Sequence, residues 1–205
     1  MKALVFDFET TGLTLHPNAK PHLQPRAIEY AGVLIDAAGV EHGELNFLCQ
    51  PGQEISAEIT KITGITNEDL ATATPFANWL PRLRGQFIRA DILIAHNLPF
   101  DHAILAHELA LAGASEGWPW PRINLCTAQT YEPLWGRRPR LIDLHEAVLG
   151  EKYDQTHRAL DDVRALAKIV VQEKLLDLIA SAPSAHGVYL PTGFFSSQQG
   201  SSALR

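Results

Sequence analysis

The chain has 205 residues, 46% of them hydrophobic, and a formal net charge of −6. This length supports one sizeable core with no obvious room for a second domain, and the acidic balance excludes a strongly basic, nonspecific binder of polyanions. Cys49 and Cys126 are the only cysteines, too few for a disulfide framework, so a reducing cytoplasm is the expected compartment; the apolar run 3–6 is too short for a signal peptide, no stretch approaches the ~20 apolar residues of a membrane span, and no membrane partner is expected.

The segment "KALVFDF", 2–8, reads as a buried strand. Residues 28–36 and 44–49 read as two more, with Ala38-Gly39 as the turn between them, so that three strands on short connections form an antiparallel meander. Asn67 begins a short helix, and Thr74-Pro75 is predicted to cap a longer one, with Pro at the first helical position. "DILIAH", 91–96, is a short continuous apolar run, the pattern of a central strand covered on both faces. A helix over 99–112, a brief strand around Ile123 and helices near 127–135 and 141–149 follow. The last helix is predicted over 158–180, where Leu160, Val163, Ala167 and Val170 recur at helical spacing. Beyond Pro183 the chain turns Ser-, Gly- and Gln-rich. The order predicts an α/β fold: a mixed five-stranded sheet, three-strand antiparallel meander plus parallel strands, flanked by helices. One domain spans 1–182, and 183–205 reads as a flexible tail.

Three stretches carry chemistry. In "FDFETTG", 6–12, side chains alternate across the strand, so Phe6 and Phe8 share one face while Asp7 and Glu9 share the other. Neighbouring carboxylates repel and are costly to bury uncompensated. A hard divalent cation takes oxygen ligands of this kind; a solvated edge strand with two unrelated acids is the competing explanation. Thr10-Thr11-Gly12 then turns off the strand end, leaving the acids at a sheet rim open to ligands.

In "AHNLPFDHAIL", 95–105, Asp101 falls near the first turn of the helix that follows the central strand, where a carboxylate also complements the helix dipole. His102 and His107 read as ordinary helix residues and His96 as a satisfied strand-end histidine. In "HRALDDV", 157–163, five residues on one continuous helix would set His157 well round from Asp162. The two meet better if His157 precedes the helix and Asp162 projects from its first turns, with Asp161 a partner of the dipole. A plain helix start also accounts for this stretch alone.

Together, and in this order, the three stretches resemble the three exonuclease motifs of the DnaQ-like, or DEDDh, family of 3′→5′ exonucleases, over roughly residues 1–175. The resemblance implies a ribonuclease H-like fold. It implies Asp7, Glu9, Asp101 and Asp162 as ligands of two divalent ions, Mg²⁺ or Mn²⁺, and His157 as the general base of a two-metal-ion hydrolysis releasing nucleoside monophosphates. The His-x4-Asp spacing resembles the histidine subclass and not the tyrosine one. The expected substrate is a single-stranded nucleic-acid 3′ end. DNA is favoured over RNA by likeness to the proofreading branch, an analogy; an exoribonuclease of the same fold, or a proofreading or tethering module acting with a DNA polymerase, is the alternative.

The same resemblance makes Thr10, Thr11, Gly12, Leu13, Asn97 and Phe100 expected substrate contacts. Thr63, in "KITGIT", stands where proofreading relatives often place a histidine near the terminal nucleotide, and Cys126-Thr127 stands where many members have Asp-Thr. The loop after the first strand carries His16, Pro17, Lys20, Pro21, His22, Pro25 and Arg26 and flanks the substrate or is merely solvated. "WPWPR", 118–122, and "LWGRRPR", 134–140, interleave aromatics with arginines, as single-strand binders do. Trp118, Trp120 and Trp135 are expected to pack in the core or at its rim. Arg137, Arg138 and Arg140 are expected phosphate contacts, because no acid nearby in the sequence neutralises them.

Overall fold

The computed structural model describes residues 1–14, 23–153, 155–181 and 187–188. Strand β1, Lys2–Thr10, runs antiparallel to β2, Ala27–Asp36, which pairs antiparallel with β3, Glu41–Gln50. Helices α1, Ala57–Thr63, and α2, Asn67–Ala71, lead to the two-residue strand β4, Thr74–Pro75, a 3-10 turn over Phe76–Trp79 and helix α3, Leu80–Arg89. Then come β5, Ile92–Ala95; α4, Leu98–Leu111; β6, Ile123–Cys126; α5, Thr127–Trp135; α6, Leu141–Leu149; α7, Ala159–Gln172; α8, Leu175–Ser181; and β7, Gly187–Val188. The sheet order is β4-β3-β2-β1-β5-β6-β7, with β5, β6 and β7 parallel to their neighbours. The predicted α/β fold with a mixed, helix-flanked sheet is therefore observed; two short edge strands extend the five expected strands.

Period-two alternation splits the core between the two sheet faces. Ala3 and Val5 of β1, with Ala31, Val33 and Ile35 of β2, pack beneath α7 through Val163, Leu166 and Ile169. Leu4, Phe6 and Phe8 pack on the other face against Leu83 and Phe87 of α3 and Leu105 of α4. Asp7 and Glu9 continue the odd-numbered series, so the sheet itself aims them at the N-terminal end of α7.

The differences from the predicted elements have local causes. Helix α1 was not anticipated. Ser56 caps its start by accepting from the Ile59 N–H, and Gly64 ends it at φ 71. Thr74-Pro75 does not open the following helix: it pairs with Cys49 and Gln50 at the sheet edge, where a residue without an N–H is tolerated. Proline does sit in the first turn of α3, but it is Pro81. The final helix breaks after Gln172, with Lys174 in the left-handed region at φ 50, giving α7 and α8 in place of one rod. Of the expected tail, 183–205, only β7 belongs to the described residues.

Gly32 shows how little slack the sheet retains. The Tyr30 hydroxyl donates to Gln86 Oε1 at 2.9 Å and Gln86 Nε2 donates to the Gly32 carbonyl at 2.8 Å, so a Cβ at Gly32 would run into both buried side chains. Gly32→Ala should cost about 1–3 kcal/mol by overpacking, read as a lower urea midpoint at unchanged m-value.

Candidate active site

The rim exists because β1 outruns its parallel neighbour. Its ladder with β5 covers only Ala3, Val5 and the residue between them. Beyond that ladder the Phe8 N–H is taken by Asp101 Oδ1, from the first turn of α4, at 3.1 Å. Asp101 is 1% exposed, so its expected position near the helix start is observed as a buried acid locked to the strand that carries Asp7 and Glu9.

Asp162 arrives from the opposite side, in the first turn of α7. The Tyr153 hydroxyl donates to its Oδ1, and Gln155 Nε2 donates to its Oδ2 at 2.9 Å. Thr156 Oγ1 donates to Asp161 at 2.7 Å. Arg158 grips Glu29 through Nε at 3.0 Å and Nη2 at 2.8 Å, and the Ala159 N–H donates to the same carboxylate at 3.1 Å. Among the described residues from 153 to 159, His157 alone stays uncommitted. It precedes α7, as its spacing to Asp162 predicts, and holds φ 50, a conformation costly for a residue with a Cβ. Among the described residues, one group of His, Cys, Asp and Glu side chains is close enough to hold a metal ion: Glu9, His157 and Asp162, whose ligand atoms lie within 4.8 Å of one another.

Electrostatics marks the same place. Burial pushes the Asp7 carboxyl well up, and the charges of Asp101, Glu9, Asp162 and Glu29 push it further. Burial raises Glu9 to about 8, helped by Asp162, Glu29 and Asp101 and opposed by Arg158. Burial likewise raises Asp101 to about 8, against the hydrogen bond from the Phe8 N–H. Acids this crowded, supplying oxygen donors from three elements, suit a hard divalent cation.

Sequence reasoning missed Glu29, Tyr153, Gln155 and Arg158. Glu29 carried a signal: it interrupts an otherwise apolar strand as Asp7 does, and it lies directly opposite Glu9 in the β1–β2 register. The same signal applies to Glu108 in α4. Its buried carboxylate takes Arg26 Nε at 2.8 Å, Nη2 at 2.9 Å and the Ala27 N–H at 2.9 Å. Arg26 therefore anchors the base of the loop after β1, and its expected place in a solvated or substrate-flanking loop is corrected. His16, Pro17, Lys20, Pro21 and His22 lie outside the described residues.

The expected substrate contacts divide. Leu13 is 82% exposed, and Thr11, Gly12 and Leu13 line a depression of about 230 Å³ with Gln53 and Pro25. Thr10 is nearly buried and its hydroxyl donates to the Gly12 carbonyl at 2.6 Å, fixing the turn. Asn97 is exposed and Phe100 half-buried at the start of α4. Thr63 is 3% exposed, donates to the Ile59 carbonyl and accepts from the Ile65 N–H, so it has no face for a nucleotide.

Nor are Arg137, Arg138 and Arg140 free of acids. Arg140 grips Asp143 at 3.0 and 2.7 Å, Arg137 reaches Asp143 at 3.3 Å, and Arg138 meets Glu132 at 3.0 Å. Those acids stand only three to six positions away, in α5 and α6, so the expectation of unneutralised arginines is corrected by near neighbours in the sequence itself. His96 is satisfied as expected, by Thr127 Oγ1 at 3.0 Å and the Pro139 carbonyl at 2.9 Å. Trp118 and Trp120 pack on Phe87, and Trp135 packs against the α7-side core.

Residues 4–170 match the exonuclease family that includes RNase T. The chain is 31% identical over 170 residues to the DNA polymerase III PolC-type of Thermotoga maritima, covering 82% of this chain and 12% of that protein. It is 28% identical over 164 residues to the DNA polymerase III subunit epsilon of Treponema pallidum, covering 80% of this chain and 72% of that one. The nuclease domain of 3′hExo, a DEDDh family member solved bound to rAMP, shares the fold at a TM-score of 0.65 and 21% identity, over 86% of this chain and 92% of that one.

Two outcomes follow from the geometry. Arg158→Ala strands the Glu29 carboxylate, 1% exposed, without its cation and should cost about 3–5 kcal/mol. Glu29→Gln leaves only a half-exposed arginine unpaired and should cost about 1–2 kcal/mol; denaturant titrations of both would show the asymmetry. Glu9 and Asp101 rise to about 8 from ordinary values of 4.5 and 3.8, so the folded chain holds protons that the unfolded chain releases. In chelator, stability should therefore be fullest below about pH 4 and decline towards about pH 8. Asp7→Asn should flatten that decline in thermal melts run in EDTA, and Mn²⁺ should offset it in the unsubstituted protein.

Proposed function

The chain belongs to the DEDDh-type exonuclease family related to the DnaQ and PolC proofreading enzymes, and from that membership we propose that it removes nucleoside monophosphates from single-stranded DNA 3′ ends with two divalent ions and a histidine base. Supporting this reading is the convergence of Glu9, His157 and Asp162 within 4.8 Å at a rim where Asp7 and Asp101 feel the same field. Asp7, Glu9, Asp101 and Asp162 would hold Mg²⁺ or Mn²⁺. When bound, the ions supply positive charge that offsets the phosphate and the charge developing on the attacking and leaving oxygens.

His157 accepts a proton from water; the water oxygen bonds to phosphorus, the P–O3′ bond breaks, and the 3′ oxygen of the shortened strand takes a proton from solvent. The lacing of 155–159 to Asp162, Asp161 and Glu29 holds the imidazole beside the acids while leaving its ring free for that transfer. Leu13 and Phe100, one exposed and one half-buried, offer apolar surface to the terminal base, and Thr10, Thr11, Gly12 and Asn97 shape the floor beneath it.

DNA is supported by the polymerase III relatives; RNA is the second reading, since the solved DEDDh relative binds rAMP. We assign the catalytic unit to 1–182 together with the edge strand β7, and a tail to the rest of 183–205. Association with a polymerase belongs to the same proposal, because the chain spans only 12% of the PolC-type relative's length. No described helix is long and apolar enough to cross a membrane.

The proximity of His157 to Glu9 and Asp162 also favours a reading in which it ligates the metal. The two separate cleanly. If His157 is the base, His157→Ala and His157→Asn should keep Mn²⁺ affinity by calorimetry and lose about 10²–10⁴-fold in rate. A ligand would instead lose metal affinity along with rate. Full cleavage of end-labelled single strands in excess EDTA would falsify the metal-dependent reading, and matched DNA and RNA strands decide the sugar.

A further inference from the structure

The criterion that pointed to Arg137, Arg138 and Arg140, a cation without an acid, selects different residues once the chain is folded. Among the described residues, the arginines that make no ion pair are Arg82, Arg84, Arg89 and Arg122; every other one is matched to a carboxylate. All four are exposed, three on α3 and one at the entry to β6. In a chain of net charge −6 this is a local concentration of positive charge. Helix α3 carries no acid. Asp91, just beyond it, accepts the Lys2 N–H at 2.8 Å instead.

Aromatic faces alternate with these cations. Arg82 lies over Trp79 at 5.4 Å; Arg84 lies over Trp118 at 6.0 Å and donates to the Gly117 carbonyl at 2.9 Å. Arg122 borders an open depression of about 510 Å³ with Ile88, Pro119, Trp120 and Pro121, and Asp91 is the one acid on its lining. Trp120 stacks at 4.2 Å on His102, an exposed side chain next to Asp101. His102 lies near the start of α4, whereas Arg122 precedes Ile123, which pairs with Ile92 and through it is level with Ala3, so these groups extend from the start of α4 to the far end of the sheet.

We propose that Arg82, Arg84 and Arg122, with the His102–Trp120 stack, form a track for the single-stranded nucleic acid that trails from the cleft, holding its phosphates by charge and its bases by stacking. This rests on the exonuclease reading for the identity of the polyanion. Arg89 is set aside because its guanidinium donates to the His42 carbonyl and braces β3. Guanidinium groups on aromatic planes grip a flexible strand without reading its sequence. The unpaired positive charge, spread from the start of α4 to the far end of the sheet, favours the substrate strand over an acidic protein segment.

The test is fluorescence-anisotropy binding of the full chain to oligonucleotides of about 4 and about 16 nucleotides, the range one such groove spans. Their terminal linkage is a phosphorothioate, and no divalent metal is added. Replacing Arg82, Arg84 and Arg122 together by Gln should lower the slope of log affinity against log salt by about 2 for the long strand, roughly 0.7 per lost phosphate contact. Binding of the short strand, and single-turnover hydrolysis in Mg²⁺ of a short strand with ordinary phosphate linkages, should stay within about twofold. An unchanged slope on the long strand overturns the proposal and leaves the surface to an acidic partner or to solvent. Equal losses on both lengths also overturn it, placing the arginines at the cleft. Should the triple variant melt early, Arg122→Gln alone carries the test, with an expected slope change of about 0.7. A wild-type chain that binds long strands with the full slope but cleaves none would sink the catalytic reading while supporting this one.

Discussion

The constraint on which the rest of this structure depends is the gathering of like charges at one end of one sheet. Asp7 and Glu9 leave β1 on the same face, Glu29 stands opposite Glu9 on β2, and α4 and α7 each deliver a further acid. Water would scatter these groups, and only a rigid scaffold keeps them together. The scaffold is apolar above and below: two clusters of buried side chains clamp the strands and leave the acids no way to rotate apart. Burial raises the carboxyls of Asp7, Glu9 and Asp101, and the neighbouring acids raise Asp7 and Glu9 further.

Two of the acids are partly compensated by the chain itself, and the compensation has a second effect. Glu29 and Asp162 accept hydrogen bonds from residues on both sides of His157, and Asp161 accepts one from Thr156. Each bond shortens the freedom of the segment before α7. The sum is a histidine held at an unfavourable φ, beside the acids, with its ring unengaged. A strained backbone persists only where its surroundings over-determine it, and here three carboxylates do so. The Ala159 N–H, one of the donors left open at a helix start, is satisfied by Glu29 from the neighbouring sheet and not by a local cap. Folding of the sheet and ordering of the histidine are thus one event.

The same sorting of charge runs across the surface. Arginines next to one another in sequence, Arg137, Arg138 and Arg140, are tied to Asp143 and Glu132, and so contribute little beyond fixing their loop. Arg82 and Arg84 of α3 meet indole planes in place of acids. Arg26 and Glu108 make a buried counterpart, a pair that closes the long loop after β1 beside the rim.

By itself the sequence determined what local periodicity and chemical type can encode. Alternation in 2–8 set which face Asp7 and Glu9 occupy, because a strand allows no other arrangement. The apolar run 91–96 required a central strand, and the five-residue step from His157 to Asp162 required the histidine to stand before the helix. Their order along the chain carried the family. Tertiary structure decided everything that depends on residues distant in sequence meeting: Arg158 finding Glu29 across 129 positions, and Asp101 finding the Phe8 N–H across 93. It also decided the break at Lys174 and the edge strand at Thr74–Pro75, where packing and pairing overrode a continuous helical pattern. Local pattern states which side chains can share a face; only the folded chain fixes which charges are neighbours, because charge acts through space and not along the backbone.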